Sequence, residues 1–464
     1  MTKKTEREKL EHKYRNRLTV SSLFNRKLVS YQANKRTPFY GWFGFKEAFS
    51  SKLVQMLIKK SGSDIEKILD PFSGLGTTLF SANEMGLKSV GIEIMPIGEF
   101  MLKTYKSSKK VDLMSLSDTV RKLKSLDFLK MSIDGETKFS HIAITESAFP
   151  EETEKKLNAC LNYIENEIVD PDIKQICKFA CFSILEKISY TRKDGQYLRW
   201  DGRAKKSSSK FRKTKIYSFE ESFFKKLEVI LNDLSSLKRF IEPGQEQYVN
   251  ICLHTGSTLD ILPKMKDREF DLMVSSPPYC NRYDYTRTYA LELAFLGLDH
   301  SAIKKLRQEL LSCTVENKDK KEYLRSIYQK NNQMDLFDAA EKSFYECEAL
   351  QEVLQILKQY RDQKKLNNPG IYRMVKNYFY EHSFVISQMS RVLKNGGNIY
   401  YVNDNVRYAG EVIPVDLILS EFASNAGLSV KNIFVLSNGK GNSSQQMGKY
   451  GREVMRKCVY HWRK

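Results

Sequence analysis

Acidic residues are in short supply in this chain. Against 76 Lys and Arg stand 56 Asp and Glu in 464 residues, a formal net charge of +20. Such an excess favours a polyanionic partner and salt-sensitive contacts, although a plainly solvated basic surface satisfies the same count. Long apolar runs are also missing: no window approaches the roughly 18 apolar residues of a membrane span. The Lys/Arg-rich start, up to Arg17, is not followed by the apolar stretch of a secretory signal. Nor do the eight cysteines pair up. Cys177 and Cys181 have helical spacing with no second pair nearby, so neither a zinc site nor a disulfide framework is legible. These absences predict a chain of a reducing, cytoplasmic setting, without metal or membrane contact. With 41% apolar residues, it is long enough to bury a sizeable core as one large domain carrying big insertions.

Two short strings carry most of the chemistry. The first is Asp70-Pro71-Phe72-Ser73-Gly74-Leu75-Gly76-Thr77-Thr78, between an apolar run from Ile65 to Leu69 and a helix-like stretch from Thr78 to Met85. Its glycines fall where a strand turns sharply into a helix. There the backbone can approach a ligand, and the first amides of the helix point into the crevice. The second string is Ser275-Ser276-Pro277-Pro278-Tyr279, after the buried-strand pattern of Phe270 to Val274. Its prolines make a stiff, donor-free edge just past the strand end.

Around these strings the pattern divides the chain. Residues 1–36 read as a basic helical arm. Residues 37–100 hold an aromatic and glycine-rich stretch from Thr37 to Phe45, which suits core or a stacking surface. They also hold a helix face at Leu53, Val54, Leu57 and Ile58, the first strand, the glycine loop, and a second strand from Lys88 to Ile92 closed by Glu93. Residues 101–247 read as mostly helical, interrupted between Arg192 and Lys215 by ten Lys/Arg against two Asp. Interleaved with Tyr197, Trp200 and Phe211, that segment suits a nucleic-acid groove, and a disordered basic loop is the competing reading. Strand patterns return within 248–300, at Tyr248 to Leu253 and Phe270 to Val274. Residues 301–371 form a charged helical insertion, with neither Gly nor Pro up to Leu366. Residues 372–464 supply a helix from Tyr372 to Leu393 stopped by Asn395-Gly396-Gly397, a strand from Asn398 to Asp404, and apolar runs that finish an alternating α/β sheet.

Glu93 closes the second strand at about the offset where an acidic side chain bonds a ribose hydroxyl in nucleotide-binding α/β units, with a capping or exposed glutamate as the plainer alternative. A dinucleotide fingerprint wants Gly or Ala three positions after Gly76, where Leu79 stands, and no Gly-Lys-Ser/Thr follows for a phosphate loop. Asp70 would repel a pyrophosphate and attract an ammonium or sulfonium, the character of S-adenosylmethionine. At this point the sequence resembles the amino-methylating DNA methyltransferases, whose cofactor loop runs Asp-Pro-Phe-x-Gly-x-Gly-Thr-Thr and whose catalytic loop is Ser-Pro-Pro-Tyr. Both are matched in full, and the resemblance covers residues 37–100, 248–296 and 372–462. With the cofactor loop ahead of the catalytic loop, the family's motif orders imply a target-recognition region between them, in residues 101–247, with 301–371 as its competitor. It implies a Rossmann-like, seven-stranded methyltransferase fold of the α/β class with large helical insertions. It also implies a cofactor held by Asp70, Pro71, Phe72, Ser73, Gly74, Gly76, Thr77, Thr78, Glu93 and Ile94, and covered by Phe49 or an aromatic among Phe39 to Phe45. Members of the family usually carry Gly-Asp after the third strand. Here Gly256-Ser257 stands instead, which leaves Asp260 as the expected adenine contact.

Methyl transfer to an exocyclic amine is an in-line displacement by a weak nucleophile, whose lone pair is delocalised into the ring. Acceptors for the amino hydrogens localise that pair and aim it. By resemblance, Ser276 and the Pro277 carbonyl are these acceptors, Pro278 stiffens the edge, and Tyr279 stacks on a base extruded from the duplex. Cys280 lies beyond the turn and is not read as a carbon-5 nucleophile. Ser at the head of the loop is most similar to enzymes acting on the amino nitrogen of cytosine, whereas Asp or Asn is commoner among adenine enzymes. The expected activity is therefore site-specific cytosine-N4 methylation of double-stranded DNA by base flipping. Arg192, Lys193, Tyr197, Arg199, Trp200, Arg203, Lys205, Lys206 and Arg282 are the expected DNA contacts. Adenine-N6 methylation, RNA amino methylation and a catalytically silent DNA-binding protein are the rival readings. A cognate restriction endonuclease as functional partner follows from the resemblance alone.

Overall fold

The computed structural model describes residues 4–131, 138–194, 197–205, 207–238, 249–437, 440–441, 450–451 and 453–464. Its centre is a sheet of eight strands: β1 (Leu18–Ser21), β2 (Lys67–Asp70), β3 (Lys88–Glu93), β4 (Ile251–Thr255), β5 (Phe270–Ser275), β6 (Leu393–Asp404), β7 (Ser429–Leu436) and β8 (Lys457–Arg463). Their spatial order is β1-β7-β8-β6-β5-β2-β3-β4. All neighbours are parallel except those of β8, which runs antiparallel between β6 and β7. Parallel strands need crossovers, and crossovers put helices on both faces. This is why β2, β3 and β5 read as almost continuous apolar runs.

The seven expected strands are present, and β1 adds an eighth at the edge. The N-terminal stretch is accordingly more than a helical arm. Helix α1 (Glu6–Tyr14) starts in a capping box between Thr5 and Glu8 and leads through a short turn to β1. It is tied down far along the chain: Arg7 pairs with Glu352 and Glu411, each at 2.9 Å, and Tyr14 donates to Glu421 at 2.8 Å. A second difference concerns the helix Ile371–Val392, which passes straight into β6 at Leu393. The glycine turn at 395–397 lies inside β6, where the register with β5 jumps between Leu393 and Asn398.

Three apolar clusters hold the layers together. Helix α2 (Ser51–Ser61) is capped by the Ser50 hydroxyl and lays Leu53, Val54, Leu57 and Ile58 on Leu272, Val274 and Tyr400 of the sheet. In a second cluster, Phe39, Trp42 and Phe43 are buried among Phe80, Tyr105, Phe179 and Phe182. Most of the aromatic stretch is therefore core. The charged segment forms the helices His300–Glu309, Lys321–Lys330, Met334–Glu346 and Glu348–Asp362. The apolar faces of the last three, with Leu324, Phe337, Leu350 and Leu357, share a cluster with the helix Ile371–Val392, whereas Ile303 and Leu306 of the first join the aromatic cluster. No helix among the described residues is long and apolar enough to cross a membrane.

Candidate active site

Strand order reverses between β2 and β5, so the loops leaving these two strands open side by side at the carboxyl edge of the sheet. Ligands of open α/β sheets bind at such a switch point. The reversal explains why two strings distant in sequence meet. Ser275 Oγ donates to Asp70 Oδ1 at 2.6 Å, and Thr78 Oγ1 donates to the Val274 carbonyl at 3.1 Å. Between the loops lies a cleft lined by Phe49, Asp70, Phe72, Ser73, Gly74, Thr77, Glu93 and Ile94 together with Ser276 and Pro278.

The glycine loop is shaped by its backbone. Gly74 and Gly76 have φ of 54° and 90°, the left-handed region where a side chain is strained. A Cβ on Gly76 would also sit 2.7 Å from the Phe80 ring. Gly76 caps helix α3 (Thr77–Glu84), whose first turn faces the cleft. Helix α4 (Pro96–Lys110) leans on the loop from outside: a Cβ on Gly98 would meet the Gly74 carbonyl at 2.7 Å. Glu93 fastens these parts together. Its Oε2 accepts from the Gly74 amide at 2.6 Å and its Oε1 from the Met95 amide at 2.7 Å.

Burial sets the electrostatics. It pushes the Glu93 carboxyl up to about 7, against the pull of the Met95 and Gly74 amides. It pushes Asp70 up to about 6, against the bonds from Ser275, Thr78 and the Phe72 amide. A cleft with two carboxyls this reluctant to ionise is suited to a ligand that brings positive charge.

Other expected cofactor residues shape the cleft without lining it. Pro71 offers its carbonyl to Thr258 Oγ1, Gly76 turns the chain, and Thr78 ties the loop to β5. Asp260 is also outside the lining, and its carboxylate accepts from Tyr323 at 2.5 Å. Ser257, Thr258 and Leu259 line the cleft in its place. Phe45, from the aromatic stretch expected over the cofactor, lines the cleft together with Tyr285, and sequence reasoning missed Glu47, Glu309, Leu310 and Leu311, which also line it. Phe45 stacks on Tyr289 with centroids 4.8 Å apart, and Tyr289 donates to Glu47 at 2.5 Å.

In the proline loop, Ser276 Oγ lies 3.2 Å from the Val402 carbonyl and 3.1 Å from the Tyr279 hydroxyl. Pro277 is buried, and Tyr279 is half-buried beside the cleft. Tyr408 donates to the Cys280 carbonyl at 2.7 Å, clamping the loop's exit. Burial pushes the Cys280 thiol well up, so this sulfur stays protonated.

The basic segment divides into cations that build the fold and cations that face out. Its hairpin pairs Thr191–Asp194 with Tyr197–Trp200. Lys193 is a correction to the expected DNA contacts. Its ammonium is buried, bonded to Glu292 at 2.5 Å and set over the rings of Phe43 and Tyr289, where no phosphate reaches it. Arg203 is paired with Asp201 at 2.7 Å and Arg199 with Asp194 at 2.9 Å. Trp200 packs against the core, and Arg282 donates to Asn367 at 3.1 Å. Tyr197 contributes the strand's main chain, and Lys206 lies outside the described residues. Arg192 and Lys205 are exposed, as are Lys210 and Arg212, which had not been singled out. Lys213 plugs the end of the helix Pro171–Ile188, donating to the carbonyls of Glu186, Ser189 and Thr191 at 2.5 to 3.1 Å.

A doubly wound sheet with a reversed last strand, and a Gly-rich acidic loop facing Ser-Pro-Pro-Tyr across one cleft, define a Rossmann-like methyltransferase. The comparisons with known proteins narrow the class. Residues 1–97 match the family model described as DNA methylase. The chain is 45% identical to the Type II methyltransferase M.AvaI of Nostoc sp. (strain PCC 7120), over 98% of this chain and 92% of the relative. It is 42% identical to the Type II methyltransferase M.BsoBI of Geobacillus stearothermophilus, over 99% of this chain and 92% of the relative. No solved structure matches. The chain belongs to the Type II DNA methyltransferases of the N4/N6 amino-methylating family. Enzymes of this family take their methyl group from S-adenosylmethionine.

Proposed function

We propose that this protein methylates the N4 amino group of cytosine in double-stranded DNA, protecting sites from a cognate restriction endonuclease. The reading rests on one observation: Asp70 and Glu93 share a cleft with Ser276 and Pro278, so a methyl donor and an acceptor amine can meet there.

The residues present fit S-adenosylmethionine. Glu93, fixed by two amides, keeps a lone pair on each oxygen for ribose hydroxyls. Asp70 provides the negative charge for the cationic amino acid end, and the left-handed glycines let the backbone come close. Phe49 and Ile94 supply apolar walls for the adenine. When bound, the cofactor supplies an electrophilic methyl group. Ser276 and the Pro277 carbonyl accept the amino hydrogens of the target base, which turns the nitrogen lone pair out of the ring and towards the methyl. Tyr279 stacks on the base once it has left the duplex, and the proline edge, which has no N–H donors, leaves the amine unopposed.

Ser276 at the head of the loop favours cytosine over adenine. Incubating the purified protein with unmethylated mixed-sequence DNA and methyl-labelled S-adenosylmethionine, followed by nucleoside mass spectrometry, tests this. Labelled N4-methylcytosine, absent with Tyr279→Ala, is the expected product. N6-methyladenine would keep the mechanism and overturn the base.

DNA affinity is expected to run through the outward cations. Replacing Lys210 and Arg212 with Ser should weaken binding equally across sequences and flatten the slope of log K against log salt by about 0.9 per lost phosphate contact. Fluorescence anisotropy over a salt series checks this, and an unchanged slope would move the DNA path elsewhere.

A further inference from the structure

β8 is the one antiparallel strand in the large sheet, so it begins where the parallel strands end. Its first residue, Lys457, therefore arrives at the carboxyl edge beside the proline loop. Lys457 is the cross-strand partner of Asp404, the last residue of β6, and their charged atoms lie 3.3 Å apart with side chains only 16% and 18% exposed. The ammonium sits 5.5 Å from the centroid of the Tyr279 ring and interacts with the Tyr279 hydroxyl. Burial pulls its pKa down, and Asp404 more than offsets this, so the amine stays charged.

The order of donors in this cluster leaves Ser276 an acceptor towards the cleft. Ser276 Oγ donates to the Tyr279 hydroxyl oxygen at 3.1 Å, with the Val402 carbonyl as its second acceptor at 3.2 Å, so its proton is held among these two and its lone pairs stay open. The ammonium, which has donors only, favours Tyr279 in this accepting role. Without Lys457 the ring loses that anchor, and Ser276 can present its proton where an acceptor is needed.

We propose that Lys457 is a positioning residue for methyl transfer: it holds the Tyr279 hydroxyl where that oxygen and the Val402 carbonyl take the Ser276 proton, leaving a Ser276 lone pair facing the cleft to accept an amino hydrogen of the base. Asp404 holds the ammonium in place. This rests on the proposed function, because only an amine substrate needs that lone pair.

The test compares wild type, Lys457→Met, Lys457→Arg, Tyr279→Phe and the Lys457→Met/Tyr279→Phe double variant in single-turnover methylation at saturating DNA and cofactor. Binding of each ligand is measured separately. Lys457→Met should slow the chemical step by about tenfold to a hundredfold, the scale of a misplaced reacting group, with both affinities unchanged. Lys457→Arg should recover most of the rate. In the Tyr279→Phe background the lysine substitution should add little, because the oxygen that Lys457 positions is already gone. Multiplying effects, or a loss confined to affinity or thermal stability, would overturn the positioning role while leaving the methyltransferase reading in place. A wild-type protein that methylates neither cytosine nor adenine removes both.

Discussion

Replacing Ser276 with alanine is expected to slow methyl transfer by about 10²- to 10³-fold, the loss seen when one preorganised polar group is removed from a reacting centre, with cofactor affinity unchanged. Its hydroxyl shares the cleft lining with Asp70 and Glu93, and its hydrogen bonds run to Tyr279 and the Val402 carbonyl. The position is half-exposed, so losing its hydrogen bonds should lower stability by only about 1 kcal/mol. Rate and fold are thus separable. Single-turnover methylation, cofactor calorimetry and a melting curve on the same preparation check all parts. A variant that loses cofactor binding in step with rate would show that Ser276 belongs to the cofactor's wall, and the acceptor role would pass to the loop carbonyls.

The parts of the site visible in the sequence are those whose chemistry is local. The glycine loop, the acid closing the second strand and the proline loop each sit at the carboxyl end of a strand, where a few neighbouring residues fix the geometry. Apolar runs also located β2, β3, β5 and most of β6, because buried parallel strands carry a strong signal. What escaped depends on distant contacts. β1 is four residues long with only Ser21 buried, a pattern too weak to register against a basic background. Leu310 and Leu311 reach the cleft from a segment whose composition reads as surface helix, and nothing in their own neighbourhood announces it. Lys193 and Arg192 are adjacent in a basic run, yet strand alternation sends one into the core and one to solvent. Charge counting alone cannot separate them, whereas the period of two in a hairpin could have. Lys457 needed the reversal of the last strand to be known before its place in the site could be seen.

Cofactor affinity is expected to weaken as pH falls from about 8 to about 6, by up to about tenfold per pH unit for each proton expelled on binding. The sign follows from the two raised carboxyls. In the empty cleft Glu93 takes up a proton near pH 7 and Asp70 near pH 6, whereas a ligand with a sulfonium and an ammonium favours both ionised. Above pH 7 both groups are already charged, and binding needs no proton release. Below it, part of the binding free energy goes into deprotonation. The same shifts act on the empty protein in the other direction. Because the folded state holds these protons more tightly than the unfolded chain, its stability declines as pH rises from the ordinary carboxylate range through 6 to 7, then levels off. Cofactor should therefore raise the melting temperature most above pH 7 and least near pH 5.5, the opposite of the trend in the empty protein. Glu93→Gln should lose most of the affinity and remove the upper part of the pH dependence, leaving the step near pH 6 that belongs to Asp70. Calorimetry in buffers of different ionisation enthalpy counts the protons directly. Release of no proton at pH 6 would mean that the cofactor's positive end lies away from both carboxyls, and the assignment of Asp70 to that end would fail.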